Sequence, residues 1–385
     1  MAKPPAISED RRLPAHRRVS AALRAEIEGG MLAPGSRLPA EPDMALQFGV
    51  SRGTLRQALQ ALRADGLIEA IPGRGNFVAR GRPPVRERRR RVIGVVVPSV
   101  AQPYVADLLA WIEEELHDSG YSMLVGSSGS SSEQQAGRLH RILDEGASGL
   151  IVYPIDYETD PVLFAHLAER DFPIVLIDRH LVGLAIDTVE PDNVGGAYAA
   201  VRHLIELGHR RIAFISTNNL RTTSVAERLQ GYEEALLSAQ ITVDPDLVFT
   251  QLAVARRWPI EAAARSRTRE VTAVARFLER RQPTAAFTLH DYLAADVIEA
   301  AKSLGLGIPD ELALASFDDD PAAATLPVPL TAVAQPREQI GRTAARLVVD
   351  RVEGRRTDVA RIVLPTRLVI RRSSGARIGA ASAAS

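Results

Sequence analysis

From Val92 onward, short runs of β-branched and apolar residues recur between longer stretches of helical spacing, and this alternation constrains the fold more than any other feature. The runs are "VIGVVVPS", "YSMLVGSS", "GLIVYPI", "PIVLID", "RIAFIS", "LVFTQ", "AAFTL" and "LALASF". Between them, helical periodicity is expected over 104–118, 133–146, 161–170, 194–207, 225–239, 270–281 and 291–304. Strands that are apolar at successive positions, without a polar face, belong to parallel sheets covered on both sides. Strand–helix–strand alternation of this kind makes right-handed βαβ units, and about 270 residues of it exceed one ordinary sheet. The expectation is an α/β body of two doubly wound lobes over 92–372, without a tandem repeat, followed by a disordered tail at 373–385.

The segment before Val92 follows other rules. "HRRVSAALRAEIEGG" places Val19, Ala22, Leu23 and Ile27 at helical spacing and stops at Gly29-Gly30. A turn segment, "MLAPGSRLPAE", leads to a short helix in "EPDMALQFG", with Met44, Ala45 and Phe48 inward and Gly49 as its stop. Ser51 is a natural N-cap for a third helix whose Leu55, Leu59 and Leu62 form one apolar stripe. "LIEAI" and "NFVAR" then read as two strands around the turn "PGRG". Residues 14–80 are thus expected to form a small domain of three helices and a hairpin. Residues 81–91, Pro-containing and strongly basic, are expected to be a linker.

Charge separates the two parts. Residues 1–91 hold 18 of the 47 Lys+Arg and 9 of the 47 Asp+Glu, a net of +9, while the remainder is −9. A basic head on an acidic body points to a polyanionic partner for the head alone. Cysteine is absent, which removes disulfides, thiol catalysis and Cys-type zinc sites. No apolar run approaches the ~18 residues that span a bilayer, and the N-terminus lacks the apolar core of a secretory leader. A soluble, cytoplasmic chain without membrane association is expected.

On the third helix Arg52, Thr54, Arg56 and Gln57 lie off the apolar stripe, with Arg52 and Arg56 four apart on one face. A helix entering the major groove needs forked donors near its N-terminal end, because guanidinium matches the paired acceptors of guanine. The bland alternative is a solvated arginine face. "PGSRLPAEPDMALQFGVSRGTLRQALQALRADGLIEAIPGRGNFVA" resembles the winged helix-turn-helix of GntR-type bacterial regulators over roughly 14–80, in the ordered motifs "G.RLP.E", "FGVSR.TLRQAL..L...GLIE" and "GRG.FV". The resemblance implies that Arg52 and Arg56 read base edges or anchor phosphates and that Thr54 contacts the DNA backbone, and it places the wing tip at Gly73, Arg74 and Gly75. Ser51 and Gln57 complete this expected DNA-binding set. Pro42 stands where that family often has a DNA-contacting arginine, and Gly53 replaces a usual threonine or alanine.

The body lacks the signatures of several enzyme classes. Only Lys3 and Lys302 are lysines, and neither lies in a Gly-x4-Gly-Lys phosphate loop. Lys302, late in an amphipathic helix, reads as a surface residue rather than a Schiff-base former. "VVVPSVAQP" lacks the glycines of a dinucleotide fold, and "GSSGSSS" reads as a plain loop. His203 and His209 have no convincing metal partners, His209 reading as a helix-end residue. "VEPDNVGGAYAAVRHLIELGHRRIAFIS", "SVAERLQGYEEAL", "HDYLAADVIEAAKSLGLGIPDELALASFDDD" and "PLTAVAQPREQIGRTAARLVV" resemble the LacI/GalR-type effector domain, related to periplasmic sugar-binding proteins, over roughly 92–372. The two-family pairing resembles arabinose-repressor-type regulators.

That resemblance implies a sugar-like effector in a cleft, where a planar Arg fork and carboxylates suit vicinal hydroxyls and aromatics suit the apolar face of a ring. Arg228 in "AERLQGY" is the foremost expected contact, with Asp318 in "SFDDD" accepting hydroxyls. His290 stands where the family commonly has asparagine. Asp156, Gln335, Ser224 and Tyr104 complete the expected set; for Asp318 a strand-end cap, and for Tyr104 simple packing, are the alternatives. The expected function is a homodimeric repressor that leaves double-stranded operator DNA when a small effector binds. No metal or cofactor is expected, and carboxylate-based action on a carbohydrate stands as the enzymatic alternative.

Overall fold

The computed structural model describes residues 15–28, 31–64, 67–71, 74–79, 91–129, 131–155, 159, 161–252 and 260–375. It divides into two compact units, 1–88 and 89–385.

In the first unit, α1 (Ala15–Glu28), α2 (Glu41–Gln47) and α3 (Arg52–Ala64) pack with an antiparallel hairpin of β1 (Ile68–Ile71) and β2 (Gly75–Val78). The expected stripe is the core: Leu55, Leu59 and Leu62 are fully buried, against Val19, Leu23, Met44, Phe48, Ile68 and Val78. Gly49 turns the chain between α2 and α3 at φ +61°, a left-handed conformation that a side chain disfavours. Ser51 then caps α3, its Oγ accepting from the Thr54 amide at 3.1 Å. The segment before α2 also joins the hairpin: Leu38 N donates to Asn76 O, and Val78 N to Ser36 O, both at 2.9 Å. The wing therefore has an added edge that the sequence reading took for a turn.

The second unit contains two six-stranded sheets. Lobe one is built on β3 (Val92–Val97), β4 (Ser122–Ser127), β5 (Gly149–Val152), β6 (Ile174–Ile177), β7 (Asp187–Pro191) and, late in the chain, β13 (Arg361–Leu364), in the order 13-7-6-5-3-4, all parallel. Lobe two is built on β8 (Ile212–Thr217), β9 (Val248–Leu252), β10 (Ala285–Thr288), β11 (Ala313–Asp318), β12 (Thr331–Ala334) and β14 (Arg367–Val369), in the order 14-12-11-10-8-9. Only β14 runs antiparallel to its neighbour. The helices are α4 (Pro103–Asp118), α5 (Ser132–Asp144) and α6 (Pro161–Glu169) in lobe one, and α7 (Asn193–Glu206), α8 (Thr223–Ser238), α9 (Ile260–Arg281) and α10 (Asp291–Ser303) in lobe two. Finally α11 (Arg337–Val352) returns to lobe one and packs on α4. Each sheet is covered on both faces, which is why β3, β5, β6, β8 and β10 are apolar at nearly every position.

The described chain crosses between lobes at three places: between β7 and α7, between β12 and α11, and between β13 and β14. Asn193, Gln335 and Arg337 stand at the first two crossings. Four strands, β7, β12, β13 and β14, lie outside the apolar runs singled out from the sequence, and α9 begins ten residues earlier than expected. The body also continues past 372. Ser373 and Ser374 are buried, with Ser373 Oγ donating to Leu314 O at 2.6 Å and accepting from Thr331 N at 2.8 Å, so the expected tail begins too early. Most of the expected linker and tail, together with Gly73 and Asp156, lie outside the described residues. Among those described, no helix is long and apolar enough to cross a membrane.

Candidate effector cleft and nucleic-acid interface

On the head, Ser51, Arg52, Arg56 and Gln57 are exposed along one side of α3, while Thr54 is half-buried and bonded to Ser51 Oγ. Arg56 is not a free donor. Its Nε donates to Glu41 Oε2 at 2.9 Å, which aims the guanidinium from the start of α2. Arg63 Nη2 donates to Asn76 Oδ1 at 2.7 Å, tying α3 to the wing. Arg74 is exposed beside Phe77, and Gly75 at φ +102° lies against the Arg37 guanidinium. The surface thus carries Arg52 and Arg56 on α3 and Arg74 and Arg37 at the hairpin. Arg37 was missed because "GSRLP" reads as a turn, and only the extra strand pairing brings it to the wing.

In the body, Arg228 is buried on α8. Its Nη1 donates to Leu289 O at 2.7 Å and reaches Asp318 Oδ1 at 3.5 Å, and its Nε donates to Asn193 Oδ1 at 3.0 Å. Asp318 ends β11 at φ +109° and also accepts from Gln335 Nε2 at 2.7 Å. Gln335 Oε1 in turn accepts from the Tyr104 hydroxyl at 2.9 Å. Arg228, Asp318, Gln335 and Tyr104 therefore form one hydrogen-bonded chain that starts in lobe two and ends on α4 of lobe one. Burial raises the Asp318 carboxyl above the ordinary carboxylate range, opposed by Arg228 and reinforced by Asp320. Burial likewise raises the Tyr104 hydroxyl, with Asp178 and Tyr153 adding to it.

Lobe one supplies a further set that the sequence reading left unassigned. Arg179 donates to Asp178 Oδ2 at 2.9 Å, to Ile155 O at 2.8 Å and to the Tyr153 hydroxyl at 3.1 Å, and its guanidinium lies 4.9 Å from that ring's centre. Asp178 sits at φ +72° just after β6, and the Tyr153 and Tyr104 rings meet edge to face at 6.4 Å. The "DR" pair ends a strand whose apolar run was recognised, and only the lobe pairing shows where it points. Arg337 spans the lobes as well: Nη1 donates to Asp107 Oδ2 at 2.8 Å, and Nη2 to Asp318 O at 2.7 Å and Asp320 Oδ1 at 2.9 Å.

Of the other expected contacts, His290 makes a local bond and Ser224 is buried. His290 caps α10, its Nδ1 accepting from Leu293 N at 3.3 Å. Ser224 is buried in the first turn of α8, one turn before Arg228. His203 Nε2 bonds Ser374 Oγ at 3.0 Å, and His209 Nδ1 bonds Thr284 Oγ1 at 3.1 Å. Lys302 is exposed near the end of α10. Ligand atoms of His180, Glu190 and Glu227 lie within 4.8 Å of one another, but Arg361 bonds both carboxylates and already supplies the positive charge there.

What this arrangement offers is a cluster of forked donors, carboxylate acceptors and aromatic rings drawn from both lobes. Residues 15–78 match the gntR family of bacterial regulatory proteins, and residues 201–374 match a periplasmic binding protein-like domain. The chain is 29% identical to the arabinose metabolism transcriptional repressor of Geobacillus stearothermophilus over 376 residues, covering 95% of this chain and 99% of the relative. It is also 29% identical to the HTH-type transcriptional repressor CytR of Escherichia coli K12 over 349 residues, 87% and 96% of the two chains. Among solved structures, the transcriptional regulator CelR–cellobiose complex aligns with a TM-score of 0.65 at 27% identity, covering 87% of this chain and all of that one. The transcription regulator GntR of Chromobacterium violaceum aligns with a TM-score of 0.63 at 29% identity, over 74% of this chain and all of that one.

Proposed function

We infer that the chain is a transcriptional regulator, and not an enzyme, joining a DNA-binding head similar to the gntR family to a LacI-like, periplasmic-binding-protein-like effector domain. It acts as a repressor that a small polyhydroxylated effector, a sugar or sugar derivative, releases from operator DNA. The observation that carries this reading is the hydrogen-bonded chain Arg228–Asp318–Gln335–Tyr104, which runs from one lobe to the other through groups suited to a sugar. The names of relatives support the ligand class, since one is solved with cellobiose and others are arabinose and ribose repressors.

Arg228 and Arg179 present forks to vicinal hydroxyls, Asp318 and Asp178 accept from them, and Tyr104 and Tyr153 offer apolar faces to the ring. A ligand that bonds both lobes favours the closed arrangement by its extra contacts there. In a homodimer this closure alters the spacing of two heads, which must match half-sites about one DNA turn apart or a multiple of it. Coupling of ~1–3 kcal/mol between the sites changes operator affinity about 5–150-fold. On DNA, Arg52 and Arg56 meet base edges or phosphates, Ser51, Thr54 and Gln57 flank them, and Arg74, Gly75 and Arg37 bring the wing to the backbone.

A thermal-shift screen of pentoses, hexoses and nucleosides tests the reading, because a ligand at 100 times its Kd adds about 2.7 kcal/mol to stability. A hit that also lowers affinity for the chain's own upstream DNA supports it. Stabilisation by none of these classes, together with release by an unrelated ligand, overturns the sugar assignment.

A further inference from the structure

Beside the effector cleft, a second polar network joins the lobes through the residue that precedes Arg228. Glu227 Oε2 accepts from Asn193 Nδ2 at 3.0 Å, and Glu227 Oε1 accepts from Arg361 Nη2 at 2.5 Å. Arg361 Nε donates to Glu190, which is fully buried, and Glu190 Oε2 meets His180 Nδ1 at 3.1 Å. Glu227 and Asn193 belong to lobe two, whereas Arg361, Glu190 and His180 belong to lobe one. We propose that Glu227 and Arg361 form a latch between the lobes and that Asn193 transmits its state to Arg228, making Glu227 and Asn193 positioning residues for the effector site. This rests on the reading of Arg228 as an effector contact.

The Asn193 amide has two ends and both are committed. Its Oδ1 accepts from Arg228 Nε at 3.0 Å, and its Nδ2 donates to Glu227. A carboxylate can only accept, so Glu227 fixes which way the amide points and leaves the carbonyl oxygen for Arg228. Were Glu227 to withdraw, Arg228 Nε alone would hold the amide, and the Asn193 side chain would be placed by one bond instead of two. Glu227 and Arg228 adjoin on α8 and project in different directions, so a third residue is required to connect them.

The sheet register explains why the latch opens on the lobe-two side. On β13 and β7, Val363 pairs with Glu190 and Arg361 with Thr188, so Arg361 and Glu190 are near neighbours on strands of one sheet and move together. Arg361 and Glu227 are held by no such ladder. Rotation about the three crossings therefore changes the Arg361–Glu227 distance and leaves Arg361–Glu190 intact. Thr223 Oγ1, donating to His180 O at 3.0 Å, is a second cross-lobe bond on this side, one turn before Glu227 on the same helix. Arg361 is half exposed and so reachable by water when the lobes part, while Glu190 keeps it tethered.

The absence of cysteine allows a direct test on the full chain. Glu169→Cys on α6 and Lys302→Cys on α10, both at exposed positions, accept spin labels on opposite lobes. Labelled chain is diluted into unlabelled chain so that distances within one copy dominate. The unmutated background should give one narrow interlobe distance without ligand, and Glu227→Gln and Arg361→Ala should each broaden or shift it, with Arg361→Lys recovering part of the narrow population. For whichever of L-arabinose, D-ribose or cellobiose the unmutated chain binds, Asn193→Ala and Glu227→Gln should raise Kd about tenfold or more. Arg351→Ala is the control: it breaks the Arg351–Asp187 pair inside lobe one and should cost stability without moving the interlobe distance. Unchanged distances in both Glu227→Gln and Arg361→Ala overturn the latch, as does an Arg351→Ala response of equal size. A full distance response in a chain that binds none of the three sugars upholds the latch and counts against the sugar reading instead.

Discussion

The guanidinium carbon of Arg228 lies 3.7 Å from the centre of the Phe317 ring. Phe317 precedes Asp318 on β11 and is completely buried, so the same strand floors the arginine and supplies its acidic partner. A cation on a desolvated aromatic face gains about 2 kcal/mol or more, and the flat stacking directs the fork edge-on toward Leu289 O, Asp318 and Asn193. Lysine can keep the charge but neither the stacking nor the fork. Arg228→Lys should therefore raise the effector Kd about tenfold or more while leaving effector-free operator affinity unchanged. Parallel titrations of effector and operator check this. Equal losses in both would show that the residue supports the fold and not the response.

On the head, Arg52 stands exposed near the start of α3, and among the described residues it has no ion pair like that of Arg56 to Glu41. Arg52→Ala should weaken binding to the specific operator by ~1–3 kcal/mol and random duplex by much less. A salt titration separates the two roles: a residue that only neutralises phosphate changes the slope on both DNAs alike. Equal weakening on random DNA assigns Arg52 to the backbone.

The acidic cluster behind the cleft makes stability depend on pH in an unusual direction. Asp291, at the start of α10, accepts from Asp320 N at 2.7 Å, and burial with the nearby Asp318 charge raises its carboxyl above the ordinary range. A raised acid binds its proton more tightly folded than unfolded, so the stabilisation is complete below the ordinary carboxylate range and is lost as pH rises through the folded value. Asp291→Asn keeps an acceptor for Asp320 N and removes the titration. Chemical denaturation from pH 5 to 9 should show the unmutated chain losing stability relative to this variant, by at most about 1.4 kcal/mol per pH unit until the folded value is passed. Parallel curves would mean that Asp291 does not carry the elevation.

What the sequence made legible follows from locality. Strands buried on both faces had to be apolar throughout, so "IAFIS" and "LIVYPI" could be read without partners. β7, "DTVEP", could not: Asp187 and Glu190 are buried there only because Arg351 and Arg361 arrive from more than 160 residues away. The cleft divides the same way. Arg228 is singled out by the family resemblance of its helix, and Asp318 bonds both it and Gln335, whereas Asp178, Arg179 and Asn193 gain neighbours far along the chain that no local pattern announces. His290 shows a different case, since its bond to Leu293 N caps α10 and is a local one that any chain conformation of that helix would keep.

The last prediction concerns the packing that holds Arg228 in place. Gly231 lies on α8 where a Cβ would sit 2.2 Å from the Val194 carbonyl oxygen and 2.9 Å from Ala197 Cβ, both on α7. The obstructing oxygen belongs to the backbone, so a methyl group can be admitted only if the helices separate. Overpacking of this kind costs about 1–3 kcal/mol. Separation also lengthens the 3.0 Å bond from Arg228 Nε to Asn193 Oδ1, because one partner stands on each helix. Gly231→Ala should thus lower stability and effector affinity together. Gly137, on α5, has nothing within 4 Å of its would-be Cβ, and Gly137→Ala should stabilise by up to about 1 kcal/mol through helix propensity with the effector response untouched. Denaturation and effector titration of both variants read the contrast directly. A Gly231→Ala chain as stable and as responsive as the Gly137→Ala chain would mean that α7 and α8 move apart without resistance and do not set the position of Arg228.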